Sequence, residues 1–262
     1  MMLEVKDLVI RFHDRIGGEA VHGVSFTMES GERLGIVGES GAGKTLTALA
    51  ITRLLSENAS ISGDIRFLGK DMLAAGNKEM RDMRGKDIGF IFQDPVASLN
   101  PLMRIGPQIE EPLLLHTSLS KEERRERVLQ AIRDVDLPEP EITIRKFPHQ
   151  LSGGQCQRVM IASALICHPA LLIADEPTTA LDVTVQTQIL RLLKRKNQDE
   201  NVGILYISHD LSLVRRLCTR VIVMYNGNIV ETGNVDQVFN HPREEYTQRL
   251  IAAIPTRSKR YV

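Results

Sequence analysis

The sequence predicts an α/β chain: an antiparallel layer near the N-terminus, a parallel ligand-binding core, and a helical segment inserted between sheet-forming halves. Three observations carry this. Leu34-Gly35-Ile36-Val37, Leu171-Leu172-Ile173-Ala174 and Ile204-Leu205-Tyr206-Ile207 are short apolar runs, the texture of strands buried on both faces. The first runs into a glycine-rich loop and the others end at polar residues, where open parallel sheets place their ligand crevice. Between Gln93 and the later runs the pattern changes to helical spacing.

In chain order, Leu3 to Lys6 and Val24 to Met28 alternate apolar and polar residues, as half-buried strands do, with a turn expected at Gly17-Gly18. Leu34 to Val37 is the first buried strand, and Thr45 to Leu55 reads as a helix. Asp64 to Leu68 and Ile88 to Phe92 are further strands. Ser120-Lys121-Glu122-Glu123 is a capping box, in which Ser and Glu satisfy each other's backbone donors. Val128, Ala131, Ile132 and Val135 follow at helical spacing, and Pro138 closes the segment. A helix is expected over Val159 to Cys167. Val221 to Met224, Asn226-Gly227 and Ile229-Val230 read as a hairpin.

Composition excludes several function classes. Lys plus Arg equals Asp plus Glu, 33 against 33, so the basic excess of a nucleic-acid binder is missing and no nucleic-acid partner is expected. No run approaches the ~20 apolar residues that span a bilayer, so a membrane role is expected to come through partners. Met1 to Ile10 carries Glu4, Lys6 and Asp7, unlike a secretory signal. Cys156, Cys167 and Cys218 lie far apart, which argues for incidental or buried thiols in a reducing compartment.

The chemistry begins at Gly38-Glu39-Ser40-Gly41-Ala42-Gly43-Lys44-Thr45, which fits G-x-x-x-x-G-K-[ST] between a strand and a helix. Glycines let backbone N–H groups turn inward around phosphate oxygens, and the helix start adds its positive dipole end. Lys44 reaches the outer phosphates, and the Thr45 hydroxyl suits Mg²⁺. Asp175 and Glu176 follow the apolar run Leu171 to Ala174. The aspartate can hold Mg²⁺ and the glutamate can take a proton from an attacking water. Alone, such a pair is as often a helix cap; its order after a phosphate loop favours the catalytic reading.

Leu151-Ser152-Gly153-Gly154-Gln155 offers clustered N–H groups and a hydroxyl, a second anion-binding helix start. One nucleotide has little use for two such cradles, so the second is expected to serve a nucleotide held by another subunit.

In this order the motifs resemble the ABC ATPase family, a P-loop NTPase (RecA-like) fold with an antiparallel β layer and a helical subdomain. Gly38 to Thr45 resembles Walker A, Gln93 the Q-loop glutamine, and Leu151 to Gln155 the signature. Leu171 to Glu176 resembles Walker B, Thr179-Ala180-Leu181-Asp182 the D-loop, and His209 the switch histidine. The resemblance implies ATP and Mg²⁺ as ligands. It places Gly38 to Thr45, Thr47, Ser152 to Gln155 and Asp182 at nucleotide, and Thr45, Gln93 and Asp175 at the metal. Lys44, Gln93, Glu176 and His209 are the implied catalytic residues. Phe12 is a candidate for adenine stacking, although it suits the core as well and His13 competes with it. The implied division is a core of residues 1–93 and 157–240, a helical signature subdomain of 94–156, and a tail of 241–262.

Phe92-Gln93-Asp94-Pro95, Ser98-Leu99-Asn100-Pro101, Glu176 to Thr184 and the tail His241-Pro242, Tyr246-Thr247, Leu250 to Pro255 look like the oligopeptide, dipeptide and nickel importers. Gln157 to Ala162 resembles the first of their two ATPase types. With no cysteine after Cys218, no iron–sulfur cluster is expected, and the short tail tilts the expectation toward nickel or a metal chelate. The implied partners are a paralogous ATPase subunit (or a second copy), two permeases and an extracytoplasmic solute-binding protein. The implied place is the cytoplasmic face of the bacterial inner membrane. A non-transport ABC ATPase of DNA repair or the ribosome is the rival. Against it, the stretch from Lys44 to Leu151 is too short for repair-type coiled coils, and there is one ATPase domain in place of two.

Overall fold

A computed structural model describes residues 1–13, 18–179 and 181–254. Gly17 of the expected turn, Ala180 of the D-loop and the tail from Pro255 lie outside the described residues.

The chain opens with β1 (Leu3–Phe12), β2 (Glu19–Met28), β3 (Arg33–Val37), α1 (Lys44–Ile51), β4 (Ala59–Phe67) and β5 (Lys70–Asp71). It continues with α2 (Asn77–Met83), β6 (Ile88–Ile91), α3 (Pro95–Ser98), α4 (Ile105–His116), α5 (Lys121–Asp134) and α6 (Pro140–Thr143). Then come α7 (Gly153–Leu165), β7 (Leu171–Asp175), α8 (Val183–Glu200) and β8 (Gly203–Ser208). α9 (Leu211–Leu217), β9 (Arg220–Tyr225), β10 (Asn228–Asn234), α10 (Val235–Asn240) and α11 (Glu245–Ala252) close it.

The chain divides into two compact units. The first comprises Met1–Glu29, Arg33–Leu73 and Tyr206–Val262; the second comprises Ser30–Glu32 and Ala74–Leu205.

In the first unit β1 pairs antiparallel with β2 and with β4, the antiparallel layer that the alternation predicts. Leu3, Val5, Leu8 and Ile10 are buried, and Lys6 and Arg11 face out. The alternation slips near Asp7, where both pairings shift register and Gly63 lies so close that a Cβ would sit 2.5 Å from Asp7 O. β3 runs parallel to β9, and β9 pairs antiparallel with β10. The turn between these two holds Asn226 at φ +43° and Gly227 at φ +74°, the left-handed pair that this kind of hairpin requires.

In the second unit β6 runs parallel to β7, and β7 is buried at every position. α4, α5 and α7 bury Ile105, Ile109, Leu113, Val128, Ile132, Val159 and Leu165. The α5 capping box forms as predicted, with Ser120 N–H donating to Glu123 Oε2 at 2.7 Å and Glu123 N–H donating to Ser120 Oγ at 3.2 Å. Two helices, α1 and α7, differ in extent from expectation. α1 stops at Ile51, because Arg53 turns left-handed at φ +50°. α7 starts at Gly153, six residues before Val159, because Ser152 and Gln155 form a capping box that outweighs the poor helix propensity of two glycines. Arg158, 8% exposed on α7, donates to Val135 O and to Gln188 Oε1 and so ties α7 to α8. The three thiols are free, and burial raises those of Cys156 and Cys218.

Candidate functional site

In the first unit the glycine-rich loop leaves β3 and turns into α1. Gly38, Gly41 and Gly43 all have positive φ, at +152°, +81° and +95°. Gly38 also passes so close to the β9 backbone that a Cβ would lie 2.2 Å from Met224 O. The loop is stapled again at Ala42, whose carbonyl accepts the Gly227 N–H at 3.2 Å. Lys44 is only 5% exposed, and its ammonium donates to the carbonyls of Gly38 at 2.9 Å and Glu39 at 2.8 Å. The loop therefore curls around its own lysine. Glu39, Ser40 and Thr45 are exposed and Ala42 is buried. Thr47 is wholly buried and donates its hydroxyl to Gly43 O at 2.9 Å, bracing the loop from below. Phe12, at the end of β1, is half-buried, and His13 beside it is exposed. His209 follows β8 and is exposed; Asp210 next to it caps α9 through Ser212 N.

In the second unit Asp175 ends β7 at 3% exposure, a carboxylate held at the end of an apolar strand. Glu176 then adopts φ +46°, a left-handed conformation that turns its side chain away from the strand direction. Its Oε2 accepts from Gln93 Nε2 at 3.2 Å and from Thr179 Oγ1 at 3.0 Å. Gln93 comes from the far side of the inserted segment, 83 residues earlier, so the fold joins two residues that the sequence could place only in a list. Ser152 caps α7: Ser152 N–H donates to Gln155 Oε1 at 3.0 Å and Gln155 N–H to Ser152 Oγ at 3.3 Å. Gly153 is exposed with open space where a Cβ would be, whereas a Cβ on Gly154 would lie 3.2 Å from Val185. Asp182 caps α8, accepting from Val185 N at 3.0 Å.

Thr179 was legible only as part of the D-loop stretch; its hydrogen bond to Glu176 was not read, although its place three residues later is within reach of a turn. The S-x-x-Q spacing of Ser152 and Gln155 was likewise a readable helix start.

The ABC transporter family profile matches residues 21–179. The oligopeptide transport ATP-binding protein OppD of Bacillus subtilis is 50% identical over 97% of this chain and 72% of its own length. The Escherichia coli protein of the same name is 46% identical over 97% of this chain and 76% of its own length. Among solved structures, the dimeric ATP-binding cassette MJ0796 bound to ADP and Pi superposes with a TM-score of 0.81 at 30% identity, covering 89% of this chain and 99% of that one. No helix among the described residues is long and apolar enough to cross a membrane. A loop folded around a buried lysine, a strand-end carboxylate pair, a capped Ser-Gly-Gly helix start and these likenesses agree: the chain belongs to the ABC transporter family, among its ATP-binding, ATP-hydrolysing subunits.

Proposed function

We propose that this chain powers the uptake of oligopeptides through an ABC importer, using two ATPase subunits, two permeases and a solute-binding protein. The hydrogen bond from Gln93 to Glu176 carries the reading. It ties the residue assigned to activate water to the residue that opens the inserted segment 94–156, here assigned as the helical subdomain. Val96, Leu102, Leu114 and Leu115 on that segment are exposed large apolar side chains, available for permease contact at the cytoplasmic membrane face.

The donor set fits a nucleoside triphosphate with Mg²⁺. Positive-φ glycines allow loop N–H groups to turn toward an anion, Lys44 supplies the charge, and the Thr45 hydroxyl and Asp175 carboxylate are hard oxygen donors. Mg²⁺, when bound, neutralises charge on the phosphate oxygens. Lys44 leaves its two loop carbonyls for the phosphates. Glu176, oriented by Gln93 and Thr179, accepts the proton of the attacking water. His209 is assigned to the outer phosphate, Gln93 also to Mg²⁺, and Phe12 to adenine. Ser152 to Gln155 and Asp182 are assigned to the second subunit's nucleotide. Pairing of two ATPase subunits is supported by the dimeric cassette.

The cargo reading rests on relatives described as peptide or oligopeptide transport proteins at 45–50% identity, which favour peptide over nickel or a metal chelate. Glu176→Gln is expected to keep ATP binding and slow hydrolysis by about 10²–10⁴-fold, the worth of a general base; normal turnover removes Glu176 from this role. Capture of the tagged chain from native membranes is expected to bring down two permeases and a second ATPase. Ribosomes or repair factors without a permease would refute the transport reading.

A further inference from the structure

Tyr246 lies near the start of α11 and is 8% exposed. Its hydroxyl oxygen accepts the backbone N–H of Glu39, the second residue of the glycine-rich loop, at 3.0 Å and across 207 residues of sequence. Its ring packs on Tyr225 at the end of β9, with centroids 4.2 Å apart. The peptide joining Gly38 to Glu39 is therefore held on several sides. Gly38 lies against Met224 O, its carbonyl and that of the following peptide at Glu39 both take the Lys44 ammonium, and the Glu39 N–H is committed to a phenol. The stretch leading into α11 is pinned in turn: Glu231 accepts the N–H groups of Arg243 at 3.0 Å and Glu244 at 3.3 Å. Burial raises the Tyr246 phenol, so its hydroxyl keeps its proton at neutral pH.

We propose that Tyr246 is a positioning residue for the phosphate loop: α11 fixes, through the Tyr246 hydroxyl, the orientation of the 38–39 peptide and of the carbonyl pair that holds Lys44. This rests on the reading of Gly38 to Thr45 as the phosphate-binding loop. An N–H committed to the phenol cannot swing, so the loop is ordered before the triphosphate arrives, and binding costs less ordering entropy. Removing the hydroxyl alone leaves the ring contact in place and frees the peptide. The loss then falls on ligand affinity.

The test is calorimetric titration of Mg²⁺-ATP into the full chain, its Tyr246→Phe variant and its Lys44→Ala variant. In Tyr246→Phe the Kd is expected to rise about 3- to 10-fold, the worth of one hydrogen bond, at unchanged stoichiometry. In the assembled transporter the KM for ATP rises by a similar factor while kcat stays within about twofold. Lys44→Ala is expected to lose binding. If it does and Tyr246→Phe titrates like the parent, the positioning role is overturned. Reduced stoichiometry at unchanged Kd, or equal losses in kcat and KM, reveals a merely structural tyrosine and overturns it too. ATP binding by Lys44→Ala at parental affinity would overturn the reading of the loop itself.

Discussion

Glu176 sits left-handed at φ +46°, a conformation that costs a non-glycine residue about 1–3 kcal/mol and persists only where its surroundings hold it. Here Thr179 supplies the hold, its N–H donating to Glu176 O at 3.2 Å and its hydroxyl to Oε2. Strain at the residue proposed to activate water makes a prediction that separates stability from chemistry. Glu176→Gly is expected to raise the melting temperature by roughly 2 °C, the value of about 1 kcal/mol of relieved strain in a chain of this size, while hydrolysis is lost. Scanning calorimetry beside a phosphate-release assay checks both halves. Gly38 makes the opposite case. Its φ of +152° and the 2.2 Å approach to Met224 O leave no room for a methyl group. Gly38→Ala is expected to lose ATP binding and to lower the melting temperature. Both glycine and glutamate were legible as motif positions. Neither the strain nor the close approach was, because each depends on a backbone that the motif does not specify.

At the scale of elements, capping decides where helices begin. The α5 box was readable because Ser120 and Glu123 precede an obvious apolar spacing. Ser120→Ala is expected to cost about 0.5–2 kcal/mol, read from denaturant midpoints. α4 escaped sequence reading because Pro112 interrupts its interior, where a proline removes a backbone donor. α5 and α8 are further joined by Lys196, whose ammonium bridges Asp134 at 2.7 Å and Glu200 at 2.6 Å, with His168 Nδ1 on Glu200 at 2.8 Å. Burial, the largest single influence, raises both carboxyl groups, but the hydrogen bonds from Lys196 and from Gln130 to Asp134 or His168 to Glu200, with the nearby positive charges, together outweigh it, so both titrate below their ordinary values. Burial lowers Lys196, and the two carboxylates outweigh that, so it titrates above its ordinary 10.5. The sign follows from linkage. Depressed carboxyl groups contribute stability above their unfolded values, 3.8 for Asp134 and 4.5 for Glu200, and lose it as pH falls through the folded values. The raised lysine contributes below 10.5 and loses its share as pH rises through its folded value. The melting temperature is expected to be flat between these limits and to fall on acidification below about pH 4.5. Lys196→Met should show a lower plateau and a weaker acid dependence.

For the whole molecule, the chain leaves the first unit after Leu73 and re-enters it within β8. Gly38 to Thr45 and His209 therefore lie on segments of the first unit, and Gln93, Ser152 to Gln155 and Glu176 on segments of the second. The exposed leucines of the second unit test the transport assignment: Leu102→Glu with Leu115→Glu is expected to leave ATP affinity unchanged and to cut peptide uptake in reconstituted vesicles by about tenfold or more, with loss of permease co-purification as the cause. The sequence by itself determined the fold class, the glycine-rich loop between strand and helix, the α5 cap, the β9–β10 hairpin and the family, because each is written in contiguous residues whose local chemistry has few alternatives. The tertiary structure alone decided that Gln93 meets Glu176, that Arg158 joins α7 to α8, and that Tyr246 holds the amide of Glu39. Such contacts close loops of tens to hundreds of residues, and they depend on how buried faces pack, which no local pattern encodes.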